Sequence, residues 1–238
     1  MPFQSTLSSL KTMSQRQPHA DASTGATRVP PALPCHEGID SAEMLVNEME
    51  ASDPYLRGHS ERVALLATLI AERLGVDPAT VADIHLAGRL QDVGMSRIRQ
   101  SVLQKPDVLS PAEVCHVREH VSIGVELLAP LVGPGHVLDY VHDHHERFDG
   151  KGYPRGLAGA DISLGGRILA AADAFDALTS RRPYRGPLSW TAALSRLAGD
   201  VGRALDPAVF GALRGVVLAR MAPPAASAGT GGQRAGAQ

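Results

Sequence analysis

Cysteine is almost missing: Cys35 and Cys115 are the only two in 238 residues. One lies in a tail-like segment and the other inside a helical pattern, which excludes a disulfide framework and a cysteine metal site and fits a reducing, cytoplasmic setting. Long apolar runs are missing too. None approaches the roughly 20 residues a membrane-crossing helix needs, and no basic segment followed by a hydrophobic stretch opens the chain, so neither secretion nor membrane spanning is expected. Excess charge is lacking, at a formal -2, and the basic residues are dispersed. That excludes a broad electrostatic footprint for duplex nucleic acid or an anionic membrane, and any anion site must be local. Strand-period segments and internal repeats are absent as well.

What is present is helical. With 44% apolar and 20% charged residues, the chain suits one sizeable domain with tails. Residues 1–38 and 221–238 are rich in small and polar residues without apolar periodicity and are expected to be disordered, leaving 39–220 as the domain. Asp77-Pro78, Ser110-Pro111 and Asp206-Pro207 each read as a helix N-cap followed by its first residue. Ser110 with Glu113, and Asp40 with Glu43, read as capping boxes. A helix is expected from near Pro54 to Leu74, stopped by Gly75, and another from Pro78 toward Asp92. A single fourth helix carries Val114, Val117, Val121, Leu127 and Leu128, and a short fifth ends near His145. Helices resume after Ser163, Ser189 and Asp206. Between them Gly150, Gly152, Pro154, Gly156 and Gly159 form a loop too dense in breakers for a regular element. The fold class is all-α.

Several histidines align with the apolar stripes. His59 lies four residues before Val63, and His120 falls between Val117 and Val121. A lone inward histidine is more often a hydrogen-bonded core residue than a ligand. Here His144 and His145 stand next to the glycine-rich loop, Asp92 ends a helix, and Asp173 sits in an Ala-rich helix with little reason to be there without a cation. Together these six groups are a ligand set for a divalent metal such as Fe, Mn or Zn. Six are too many for one open ion and suit a two-metal centre for phosphoryl chemistry. His85, His116, His136 and His142 are read as structural, with His19 and His36 in the tail. Arginine supplies nearly all the positive charge, and Arg181, Arg182 and Arg185 fall within five residues as a phosphate clamp.

The run from His144 through Tyr153 to Leu157 resembles the signature of the HD-GYP family, bacterial phosphodiesterases of cyclic di-GMP. The resemblance extends to His59-Ser60-Glu61-Arg62-Val63, Lys105-Pro106 and the stretch from Ala172 to Arg185. It implies one metal, Fe or Mn, held by Asp92, His120, His144 and His145, and a second sharing Asp92 and adding His59 and Asp173. It also implies that Tyr153, Arg182 and Arg185 face the substrate. Asp176, one helical turn beyond Asp173, is read from its position as orienting a ligand or acting as a cap. The sequence departs from the family at Gln91 and Met95, where the motif carries histidine and lysine. Glutamine's uncharged amide oxygen matches a transition metal less well than imidazole, and losing the lysine removes a charge near the phosphate. The resemblance therefore implies a metal-dependent cyclic di-GMP phosphodiesterase of reduced turnover holding one or two ions. The alternative is an inactive protein that binds the nucleotide or a diguanylate cyclase domain.

Overall fold

A computed structural model describes residues 36–52, 56–182 and 186–221. The helix starts read at Asp77, Ser110, Ser163, Ser189 and Asp206 form as expected. Asp77 accepts from the amides of Ala79 (3.1 Å) and Thr80 (3.0 Å), and the Ser110–Glu113 box closes in both directions. Ser163 and Ser189 cap their helices through their hydroxyls, and Asp206 takes the Ala208 amide at 2.7 Å. The helices are α1 (His36–Ser52), α2 (His59–Arg73), α3 (Pro78–Leu90), α4 (Gln100–Leu103), α5 (Pro111–Arg118), α6 (His120–Val132), α7 (His136–Asp143), α8 (Leu164–Thr179), α9 (Trp190–Ala198) and α10 (Pro207–Met221). Short 3-10 turns cover Val93–Arg97 and Gly159–Asp161, and there is no strand among the described residues.

Four expectations are corrected. α1 starts at His36, inside the stretch read as tail, so Asp40 lies within a helix and is not its cap. α2 begins at His59, because Gly58 sits in the left-handed region (φ 68°) and interrupts the helix there; Pro54 lies outside the described residues. The expected fourth helix is two, α5 and α6, broken by a turn at Glu119. A one-residue break leaves the apolar spacing almost unchanged, so periodicity could not reveal it. The fifth helix ends at Asp143, leaving His144 and His145 beyond its last turn.

α2 lies at the centre, packed on α3, α8 and α10. Its inward face is small, with Ala64, Ala67 and Ala71 fully buried beside Val63 and Ile70, so neighbours come close. A Cβ at Gly88 of α3 would stand 2.8 Å from the Ala64 Cα. The same device sets the site. The turn after α3 presses on the start of α6, where a Cβ at Gly94 would fall 2.0 Å from the His120 carbonyl oxygen and 2.7 Å from the Gly124 amide nitrogen. Both obstacles are main chain and cannot rotate away.

Gly94→Ala is therefore expected to cost about 1–3 kcal/mol or more through overpacking. In contrast, Gly211→Ala in α10, which has open space around it, should gain up to about 1 kcal/mol in helix propensity. Thermal melting separates the two; a Gly94→Ala protein that melts with the parent would show that the α3 turn and α6 are not held apart by main-chain contact.

Candidate metal centre

Most of the candidate side chains stand at a helix end. His59 is the first residue of α2 and His120 the first of α6; Asp92 follows α3, and His144 and His145 follow α7. Asp173 comes from the middle of α8. Helix ends leave a side chain free of its own helix wall, so five peptide segments converge without clashing.

One ligand atom from each of Asp92, His120, His144 and His145 lies within 4.8 Å of the others. Asp92 Oδ1 is 3.6 Å from His120 Nε2 and 3.9 Å from His144 Nε2. Its other oxygen faces a second group: Asp92 Oδ2 is 3.2 Å from His59 Nε2, which is 3.5 Å from Asp173 Oδ1. One carboxylate thus looks both ways.

The imidazoles are aimed by their far nitrogens. His120 Nδ1 reaches the Val117 carbonyl at 2.7 Å and His144 Nδ1 the Val141 carbonyl at 2.6 Å. A carbonyl accepts only from N–H, so each neutral ring carries its proton on Nδ1 and keeps a bare lone pair on Nε2. Those two Nε2 atoms are buried without a hydrogen-bond partner. His59 is held by a carboxylate instead, with Asp176 Oδ2 at 2.8 Å from its Nδ1, and Asp176 Oδ1 accepts from Arg62 Nε at 2.7 Å. Orphaned lone pairs converging beside an anionic oxygen fit a divalent transition metal by donor type and spacing.

The electrostatics agree. Burial pushes His144 down to about 4, and burial with the neighbouring histidines lowers His145 well below its ordinary value, so both are uncharged at neutral pH. Burial would raise Asp92, but the His59 hydrogen bond and the charge on that ring hold it far below the carboxylate range. Asp173 is lifted to about 6 by burial and by repulsion from Asp92 and Asp176, opposed by His59 and Arg182. Burial disfavours the His59 cation, yet its bonds to Asp176 and Asp92 and the charge of Asp173 outweigh this and raise it to about 10. Three carboxylates around one imidazole make a place for positive charge.

Gln91 is 1% exposed, and neither its amide oxygen nor its amide nitrogen has a hydrogen-bond partner. Leaving both unmet costs of the order of 1–3 kcal/mol each. Met95 packs among apolar side chains, including Ile98, Val102 and Val117.

The glycine-rich loop is tied to the centre by residues to which the sequence assigned no role. The buried Glu146 carboxylate accepts from the amides of Arg155 (2.6 Å), Gly156 (3.0 Å) and Leu157 (3.1 Å). Asp143 takes the Arg155 guanidinium and the Ser163 amide. The loop's shape brings Tyr153 onto His145, ring centroids 4.9 Å apart and stacked, with the Arg118 guanidinium 4.9 Å over the Tyr153 ring. The only signal for Glu146 and Asp143 was a carboxylate on each side of the histidine pair. Arg182 is half-buried and electrostatically coupled to Asp173, Arg181 is exposed, and Arg185 lies outside the described residues. His85 bonds Thr68 (3.1 Å) and His116 bonds Glu119 (2.8 Å), in keeping with structural roles.

The HD domain family profile matches residues 43–209. Among curated proteins, the chain is 36% identical over 200 residues to 3'3'-cGAMP-specific phosphodiesterase 3 of Vibrio cholerae, covering 82% of this chain and 43% of that protein. It is 39% identical over 178 residues to the cyclic di-GMP phosphodiesterase response regulator RpfG of Xanthomonas campestris pv. campestris, covering 73% and 47%. The chain thus spans less than half the length of these relatives. Among solved structures, an HDG"Y"P protein of Bdellovibrio bacteriovorus superposes with a TM-score of 0.57 at 21% identity, over 76% of this chain and 62% of that one. At that identity the likeness concerns the all-helical fold.

Removing the carboxylate behind His59 should loosen the second ligand group. Asp176→Ala is expected to lower divalent metal affinity on the His59 side about 10–100-fold, read by titrating metal into metal-free protein. Unchanged affinity would mean that the His59 ring is held by its helix and not by Asp176.

Proposed function

The chain belongs to the HD domain family, in the HD-GYP branch that its His144-to-Leu157 run resembles, and we propose that it is a metal-dependent phosphodiesterase of cyclic dinucleotides, cyclic di-GMP first among them. The observation that carries this is the Asp92 carboxylate, whose two oxygens face two separate ligand groups. The relatives named for cyclic di-GMP and 3'3'-cGAMP hydrolysis support the substrate class. The activity is assigned to residues 39–220 and to the cytoplasm, in keeping with two lone cysteines and with the absence of any described helix long and apolar enough to cross a membrane.

In this proposal Asp92, His120, His144 and His145 hold one ion, and Asp92, His59 and Asp173, with Gln91 beside them, a second; iron or manganese suits the mixed imidazole and carboxylate set. Such ions lower the pKa of a water and neutralise phosphoryl charge. The chain's own residues do the rest. Asp176, Val117 and Val141 fix the three imidazole rings, so that their orientation needs no reorganisation. Arg182 and Arg185 grip the phosphates, and Tyr153 bounds the substrate beside His145. Hydrolysis adds one water across one P–O bond and opens the ring to a linear dinucleotide with a terminal phosphate.

Gln91 and Met95 favour a second reading. An amide in place of an imidazole and a thioether in place of an ammonium weaken the second ion and the phosphate contact together. In that reading the same surface binds the nucleotide, or a diguanylate cyclase domain through the Tyr153 loop, with little turnover.

Purified protein is expected to retain nearer one transition metal than two per chain, and elemental analysis measures it. Gln91→His with Met95→Lys should restore the second ion and raise cyclic di-GMP hydrolysis about 10²-fold or more, each single change doing less. Two tightly held ions in the original chain would show Gln91 to be an adequate ligand; a double mutant that gains metal yet stays slow would place the defect elsewhere.

A further inference from the structure

A second feature next to the centre has no role in metal binding. A cavity of about 240 Å³ is lined by Cys115, Arg118, Glu119, Ser122, Tyr153 and Pro154. Two of these, Tyr153 and Arg118, lie stacked, the guanidinium 4.9 Å over the ring, and the Tyr153 ring in turn stacks on His145, 4.9 Å away. Arg118 makes no ion pair among the described residues, and its Nε is buried without a hydrogen-bond partner. Arg118 and Glu119 straddle the turn that separates α5 from α6, so the break that delivers His120 to the metal centre also delivers this pair to the cavity. Glu119 uses one carboxylate oxygen on His116, at 2.8 Å.

We propose that this cavity is the subsite for a purine base of the cyclic dinucleotide, packed against Arg118 and Tyr153 and read by Glu119 as guanine. This rests on the phosphodiesterase reading and adds the specificity that reading leaves open. The volume accommodates a bicyclic base. An aromatic ring with a guanidinium over it is a platform for stacked bases, through ring contact and cation–π attraction. The carboxylate supplies the discrimination, because the Watson–Crick edge of guanine offers two adjacent N–H donors and that of adenine sets an acceptor beside its amino group. A carboxylate, which only accepts, matches the first and repels the second. The Ser122 hydroxyl can serve either base. Of the dinucleotides on which relatives act, both cyclic di-GMP and 3'3'-cGAMP carry guanine.

The test is equilibrium binding of cyclic di-GMP and cyclic di-AMP to the full chain at matched metal content, by calorimetry, with Cys115 as an independent reporter. Cys115 is free and exposed and lines the cavity, so its alkylation, followed on its own peptide by mass spectrometry, should slow when cyclic di-GMP is bound. The original chain is expected to prefer cyclic di-GMP. Arg118→Ala should weaken that binding about 5- to 100-fold, the effect of losing one stacked base, and Arg118→Lys, which keeps charge without the plane, should weaken it less. Glu119→Gln, whose amide both donates and accepts, should cut the preference over cyclic di-AMP about 10-fold. Arg118 variants that bind as the original does, or Cys115 reacting as fast with ligand as without, would overturn the subsite while leaving the phosphodiesterase reading intact. An unchanged preference in Glu119→Gln would overturn the reading of guanine. A parent chain that binds neither dinucleotide would overturn both.

Discussion

The chemistry this molecule can support depends on one carboxylate held between a cluster of imidazoles on one side and the lone His59 ring on the other. Asp92 follows α3 with Oδ1 toward His120 and His144 and Oδ2 toward His59. A buried anion is costly unless cations or donors surround it; the His59 ring meets this at Oδ2, whereas the bare Nε2 atoms of His120 and His144 face Oδ1 without donating to it. Lone pairs and a carboxylate oxygen thus converge from three helix ends on one point, an arrangement that a cation would complete. Placing Asp92 requires the main chain of the Gly94 turn against the start of α6, and placing His59 requires the small inward face of α2 against α8.

Much of this was legible in the residues, for local reasons. N-caps act over two or three residues, so Asp77, Ser110, Ser163, Ser189 and Asp206 marked their helices, and the observed bonds are the ones such side chains make. The six metal-ligand candidates were legible because polar groups on apolar stripes need a partner, and the fold brings all six together. Asp176 was placed one turn beyond Asp173 but could not be told from a cap; only the fold puts it 117 residues away in sequence from the ring it aims. Nor could sequence give Glu146 its work, since the three amides it accepts lie 9–11 residues on, in a loop whose path no periodicity describes. The turn at Glu119 escaped because it preserves the apolar spacing, and with it escaped Arg118, whose partner Tyr153 comes from a distant loop.

The loop and the centre are one construction. Glu146 and Asp143 fasten the glycine-rich segment to the last turn of α7, from which His144 and His145 also emerge. Tyr153 completes the circuit by stacking on His145 and by donating its backbone N–H to the His145 carbonyl at 3.3 Å. A displacement of the loop is therefore a displacement of the His145 ring, so the Tyr153 surface and the geometry of the histidine cluster cannot be varied independently.

The contact at Gly94 has a different consequence, for how such a chain changes over time. The distance between Asp92 and His120 is kept by peptide groups touching peptide groups, and the side chains at Gln91 and Met95 take no part in that touching. Substitution there removes a donor or a charge and leaves the architecture standing. Chemistry and shape are thus separately mutable here: donors and charges at these two positions can change while the main-chain contact that spaces Asp92 from His120 stays in place. The reverse change is equally short, because a histidine at position 91 would find the same main-chain frame.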